Sequence, residues 1–539
     1  WNVRTKSRAV HEKMSEFMLC LNGICQLLTT GKVRSIIIIF ALFPLLSQGQ
    51  ITITSQTTGD WDKTSTWVGG VIPGNTDNAI IASGHVVKLK AKETINDLII
   101  ESGATLQDNN KEMTVDGNFT MDGTFDGRKT LMLAGIGTWI DGFGTKTNMG
   151  DVTISSGDKT IQPTADLNFS KGDFIINNGL TVTNSGTVTV KKSIDGGSAT
   201  STWTNALNST LNVERDLLDV GVLNASATGN LVNYWRNKNQ DIKFPSGGDY
   251  YNLALTGGGV KTLQGATNVL GDIEIWSTLN VDAANNYSLA IGGNWINTGT
   301  FSRQNGTVTF NGSGTQTITT TGGERFYNLT VDKSGGNLEL SQGNTVTNLL
   351  SMPLSNVGNI DATSGTLTLG TDCSNEGTLN HSAGSIFGQF ERWINTTTPT
   401  GFQFPVGNST DVRQALVTVN VLGTCGTVLA QYFENPPGNN GLPMRDGLAL
   451  PDSVRNTYVE GYWALAAGNG LTTPDFNLEL TATGMSSFTP NASTRLLTRP
   501  EANSAWTSAG TNIAAVGNTI HRENLTFLPS QHALGDTTN

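Results

Sequence analysis

Carboxylates are the groups this chain supplies most freely for chemistry, with 44 Asp and Glu against 33 Lys and Arg and a formal net charge of −11. Asp60 with Asp62, Asp122 with Asp126, and Asp241 with Asp249 are the close pairs from which a general acid and a general base could be drawn. Several acids, however, stand directly before glycine: Asp116-Gly117, Asp122-Gly123, Asp126-Gly127, Asp141-Gly142 and Asp195-Gly196. There the carboxylate caps its own backbone while glycine takes positive φ, so turn formation is their expected work. Asp122-Gly-Thr-Phe-Asp126-Gly127 lacks the third acid and the closing glutamate of a calcium loop. His85, His381, His521 and His532 are scattered, and the chain has no Gly-x-Ser-x-Gly elbow, phosphate loop, His-Glu-x-x-His or close Cys/His cluster. No catalytic residue, metal site or cofactor is therefore expected.

Aromatic side chains could stack on sugars. The densest group is Tyr234-Trp235-Arg236 with Tyr250 and Tyr251. Tyr234 and Tyr251 fall on repeat positions also held by Phe310 and Tyr327, so both are expected to face the core. Trp235 and Arg236 remain as the candidate ligand-binding residues.

That repeat identifies the elements that must position everything else. Val232, Tyr234, Gln240, Ile242, Tyr251, Asn252, Leu253 and Leu255 recur 76 positions later as Val308, Phe310, Gln316, Ile318, Tyr327, Asn328, Leu329 and Val331. Between them the pattern alternates with period two, as in Thr307-Val308-Thr309-Phe310, and is punctuated by Gly-rich corners such as Asn311-Gly312-Ser313-Gly314. Charged residues make up only 14%, 63 residues are glycine, and no stretch after residue 50 sustains a helical period. The expectation is an all-β chain: a right-handed parallel β-helix over residues 95–390, of on the order of thirteen turns. Asp97-Leu98, Asp151-Val152, Asn252-Leu253 and Asn328-Leu329 read as four versions of one strand start.

Proline marks a change of architecture. Three prolines, Pro163, Pro245 and Pro353, lie between Gly74 and Thr398, whereas ten follow from Pro399 onward. Strands paired on both sides exclude proline and loop-rich sandwiches do not, so residues 391–539 are expected to form an antiparallel β-sandwich. Residues 50–94 read as an N-terminal module in which Trp61 and Trp67 fold over the open end of the solenoid as a cap.

Residues 1–49 read as an upstream extension and export signal. Lys32 and Arg34 precede the apolar run of residues 35–46, and Ser47-Gln48-Gly49 supplies small residues before a cut between Gly49 and Gln50. The apolar run is too short to span a bilayer, so no membrane span is expected in the mature chain. Subtracting the six basic and two acidic residues of this segment leaves 27 basic and 42 acidic, a net −15, which disfavours nucleic acid as a partner. Of four cysteines, Cys373 and Cys425 lie beyond the cut, either as a disulfide or as two separately buried thiols.

The run from Gly59-Asp60-Trp61 through Trp67-Val68-Gly69-Gly70 and Pro73 to Ala82-Ser83-Gly84-His85-Val86-Val87 resembles the opening segment of large secreted Bacteroidota surface proteins, and more loosely the eight-glycine domain of extracellular β-helix proteins. Phe404-Pro405-Val406-Gly407, Tyr462-Trp463 and His532-Ala533-Leu534-Gly535 resemble the module that precedes the sorting tail in proteins exported by the type IX pathway. The resemblance implies a secreted or outer-surface, adhesin-like protein without catalytic activity, with an extracellular glycan or another surface protein as partner. The alternative is a carbohydrate-binding or carbohydrate-active β-helix protein of the lyase or hydrolase kind.

Overall fold

The computed structural model describes residues 50–396, 401–450, 452–487, 489–526, 528 and 531–537. The expected export signal and Gly49 lie outside the described residues. Gln50 is exposed, and its side-chain amide donates to Asn78 Oδ1 at 2.7 Å. No helix among the described residues is long and apolar enough to cross a membrane.

The chain is all-β, and its larger part is a parallel β-solenoid of about 15 turns. Short strands with alternating inward and outward side chains stack directly on their counterparts one turn away. Leu98, Phe119, Ile140 and Ile161, spaced by 21 residues, form one such column. A second column runs through Val188, Leu211, Val232, Leu253, Ile273, Trp295, Ile318 and Leu340. All of these side chains are essentially inaccessible to solvent. At roughly 4.8 Å per rung the stack is about 70 Å long.

The 76-residue repeat has a structural meaning that differs from its period. Val232 stacks on Leu253, and Val308 stacks on Leu329, so each copy encodes one closed turn of 21 residues. Because 76 is not a multiple of 21, the two copies start on different faces: Leu231–Tyr234 and Thr307–Phe310 belong to separate ladders. Tyr234 faces the core as expected, but Tyr251 does not. The inward place is taken by Tyr250, whose hydroxyl lies 2.9 Å from that of Tyr234, while Tyr251 and its counterpart Tyr327 are half-buried. The two-residue period of a strand makes a slip of one position exchange the two faces.

Corners hold the turns in register by side-chain acceptors. Asn78 Oδ1 accepts the Asp97 N–H (3.1 Å), Asp97 Oδ1 that of Asn118 (2.7 Å), and Asn118 Oδ1 that of Trp139 (3.1 Å). The same relay links Asp151 to Asp173 and Asp173 to Ser193, and further along Asn252, Asp272, Asn294 and Thr317. The recurring Asp/Asn-Leu strand starts thus exist because each corner N–H needs an acceptor in the turn before it.

The first module is itself solenoidal. Thr52–Thr54 pairs in parallel with Asn78–Ile81, and Gly59–Asp60 with Val86–Lys88. Trp61 and Trp67 are fully buried edge to face at 4.8 Å, and Trp67 Nε1 donates to the Trp61 carbonyl (2.7 Å).

At the other end, Ile386–Ile394 serves two architectures. One edge pairs in parallel with Asn359–Leu369 of the solenoid, the other antiparallel with Gly426–Phe433. That sheet continues through Tyr462–Gly468, Gln531–Asp536 and Arg495–Arg499. A second antiparallel sheet runs Gly401–Phe404, Ala415–Val421, Asp475–Thr481, Thr519–Leu525 and Thr511–Val516. Inward side chains of both sheets, among them Phe404, Phe476, Trp463 and Leu465, share one hydrophobic core with the solenoid. A disulfide joins Cys373 to Cys425, with Cα atoms 5.8 Å apart.

Candidate functional site

The solenoid's ladders are not all continuous, and a missing rung leaves room for a cleft. The third face of the solenoid has one. Its six-stranded ladder ends at Ile194–Gly196, followed only by the isolated bridge from Ile194 to Leu217, and a four-stranded ladder begins afresh at Gln240–Ile242. The gap is a cleft of about 550 Å3, lined by Asp216, Leu217, Asp219, Asp241, Lys243 and Phe244. Phe244 is exposed. Lys243 Nζ is held by the Leu218 carbonyl, whose residue has positive φ at 51°.

Of the two sequence candidates, neither lines this cleft, and Arg236 is tied to it through Asp216. Arg236 pairs with Asp216 at 3.9 Å, and Asp216 also accepts from the Ser193 hydroxyl (3.5 Å). Trp235 is half-buried with its indole N–H inside the protein and without an acceptor, and the Lys191 ammonium stands 6.0 Å from its ring centre. Its ring is thus only partly open for stacking on a ligand. Asp195, on the last strand before the gap, is pushed up to about 6 by burial first and then by the charges of Asp173, Asp219, Asp216 and Asp151. Asp195 does not line the cleft, but it feels the charges of two acids that do, Asp216 and Asp219, a clustering of carboxylates of the type from which proton transfer can be built.

The other acid pairs are spent on structure. Asp122 accepts the Phe143 N–H at 3.2 Å, and Asp126 accepts from Gln107 (3.3 Å), Thr147 (3.3 Å) and Asn148. Asp60 is paired with Lys90 at 3.3 Å and Asp62 with Lys63 at 3.7 Å. Asp249 accepts from Asn268 (2.8 Å) outside the cleft. Among the described residues no three of His, Cys, Asp and Glu converge to hold a metal ion. His85 Nδ1 does lie 2.8 Å from Ser55 Oγ, but Ser55 is buried and already accepts the Ala82 N–H, so this pair fixes the first turn rather than presenting a nucleophile.

Sequence reasoning missed two features. The first is a set of buried lysines. Lys159 Nζ donates to the carbonyls of Gly135 (2.6 Å), Ser156 (3.0 Å) and Gly157 (3.2 Å), and Lys261 Nζ to those of Arg236 (2.6 Å), Gly258 (3.0 Å) and Lys238 (3.1 Å). Gln316 makes equivalent bonds to Ile291 (2.9 Å) and Gly293. The signal was present in Gly157-Asp-Lys-Thr-Ile161, Gly259-Val-Lys-Thr-Leu263 and Gly314-Thr-Gln-Thr-Ile318, one corner motif in which Lys and Gln interchange. The second is exposed aromatic surface away from Trp235, at Trp139 and Trp276. No family model, no curated protein and no solved structure is similar to this chain.

Proposed function

We propose that this is an exported structural or adhesive protein of the cell surface or extracellular matrix, in which the solenoid acts as a stalk that carries the C-terminal sheets outward. The observation that carries the reading is the use of the corner acids: Asp97, Asp151, Asp173 and Asp272 each accept a backbone N–H of the following turn, so the recurring carboxylates of the solenoid hold its turns in register, as a stalk requires. The resemblance of the Gly59 to Val87 segment to Bacteroidota surface proteins supports the same reading. The disulfide agrees with an oxidising compartment. Surface labelling of intact cells with antibody against residues 50–539, with and without proteinase treatment, tests it. Signal confined to broken cells would overturn it.

One observation favours a second reading, a carbohydrate-active protein: a cleft lined by Asp216, Asp219 and Asp241, with Asp195 pushed up to about 6 by burial and by charges that include Asp216 and Asp219. Release of reducing ends from an acidic or neutral polysaccharide, abolished by Asp195→Asn, is the result this reading requires.

A further inference from the structure

The second ladder of the third face ends in turn at Thr300–Ser302, and there too a cavity opens, of about 250 Å3. This is below the roughly 300–1,000 Å3 of pockets for drug-sized ligands, and so suits a single ring. Its floor is Glu324, 6% exposed, whose Oε2 accepts from Trp295 Nε1 (2.9 Å) and Asn297 Nδ2 (2.6 Å) and whose Oε1 accepts the Arg325 N–H (3.1 Å). The carboxylate is thus satisfied by the protein itself.

The cations are not. Arg303 and Arg325 both line the cavity, and neither guanidinium has a hydrogen bond or ion pair among the described residues. Arg303 Nε is buried without an acceptor, and burial first and then the charge of Arg325 disfavour its protonated form, partly opposed by Tyr327. Two guanidinium groups close enough for the charge of Arg325 to disfavour that of Arg303, without a carboxylate partner of their own among the described residues, form a pair suited to gripping an anion. The hydroxyls of Thr300 and Thr320 and the half-buried ring of Phe301 complete the wall. One turn before the cavity, at the corner equivalent to Thr298, stands Trp276, 60% exposed. The N–H of Trp276 donates to the Leu255 carbonyl as that of Thr298 donates to Ile275.

We propose that this cavity binds a uronic acid residue of an extracellular glycan, Arg303 and Arg325 gripping its carboxylate as a fork and Trp276 stacking on the adjoining sugar. A planar carboxylate matches the guanidinium fork, and a sugar ring's apolar face matches an exposed indole about one rung, ~4.8 Å, away. The proposal gives the adhesive reading a ligand class. It rests on that reading only for the compartment, since binding in solution is measured independently of where the protein resides.

The test is isothermal titration of the full chain with an oligogalacturonate trisaccharide, a neutral trisaccharide of the same linkage, and inorganic sulfate. The expected result is binding of the uronide at least roughly tenfold tighter than either comparison ligand. Arg303→Gln with Arg325→Gln should abolish it, Arg303→Lys should weaken it, and Trp276→Ala should weaken it by roughly three- to tenfold. Equal binding of the neutral sugar, equal binding of sulfate alone, or undiminished binding by the double variant would each overturn the proposal. Should the double variant not fold, Arg303→Lys and Trp276→Ala, checked for a native melting transition, decide the matter: unchanged affinity in both refutes it.

Discussion

Gln240 and Lys261 are direct neighbours in the third ladder, one turn apart, and each sends its side-chain nitrogen back 25 residues to a corner carbonyl, Gln240 to Arg215 (2.5 Å) and Lys261 to Arg236 (2.6 Å). An amide and an ammonium therefore do the same work, tying each corner to the one before it. Lys261→Gln should be nearly neutral, whereas Lys261→Met removes the side-chain donor shared by the Arg236, Lys238 and Gly258 carbonyls, of which Arg236 keeps the Gly258 N–H, and should cost on the order of 2–4 kcal/mol. Guanidinium unfolding of the two variants measures the difference: equal losses for Gln and Met would show that an amide does not replace the ammonium, and a negligible loss for Met that the bonds contribute nothing.

How much of this was legible in the sequence follows from which signals are local. Alternation, Gly-rich corners and the turn encoded twice at Val232 and Val308 are properties of short stretches, and they specify the solenoid. The Tyr250/Tyr251 exchange was not legible, because two adjacent tyrosines satisfy the pattern equally and only the register of Asp249–Tyr250 on Thr267–Val269 decides between them. The buried lysines were hidden for another reason: a charge inside a rod is affordable only when carbonyls of the previous turn converge on it, and that convergence depends on residues more than 20 positions away. Trp235 and Arg236 were found as a pair, but the interrupted ladder that creates the cleft beside them is an absence of pairing, which no motif announces.

The lysines also set a pH dependence. Burial pushes Lys146, Lys159, Lys261 and Lys333 down to about 8, with nearby aspartates partly opposing the shift at Lys146 and Lys159. Between about 8 and the ordinary lysine value near 10.4 the unfolded chain binds more protons than the folded one, so stability rises with pH across that window. Above about 10 the trend should reverse, because burial raises Tyr432 and Tyr458 to about 12 and their ionisation favours unfolding. The denaturation midpoint should be higher at pH 9.5 than at pH 7.5, and the rise should shrink in Lys159→Gln/Lys261→Gln. A midpoint that falls over this range contradicts the assignment.

The bond between Cys373 and Cys425 closes a separation of 52 residues across the junction where the solenoid passes into the antiparallel sheets. Loop-closure entropy assigns it about 4 kcal/mol. Cys373→Ser/Cys425→Ser should lower the melting temperature of the C-terminal sheets while leaving the N-terminal turns unchanged. Hydrogen exchange resolved by segment reads the two regions separately, and uniform protection in the variant would mean that the shared strand Ile386–Ile394 holds the junction by itself.

At the opposite end the first turn has strands Thr52–Thr54 and Gly59–Asp60 with a partner on one side only among the described residues, so their other edge needs cover. The chain answers with the loop between Asp60 and Gly70: the Thr66 hydroxyl donates to the Asp60 carbonyl (2.7 Å), Ser55 bridges to Trp67, and Trp61 and Trp67 pack edge to face at zero exposure. Trp67→Ala removes the ring contact and the bond to the Trp61 carbonyl together, and should cost about 3–5 kcal/mol. The loss should also be qualitative, since a loosened loop uncovers strand edges able to template a second molecule. Light scattering should find Trp67→Ala associating in a concentration-dependent manner, with Trp67→Phe intermediate in stability and monomeric. A Trp67→Ala variant that is destabilised yet remains monomeric at high concentration would show that the tryptophans fill the first turn without guarding its edge.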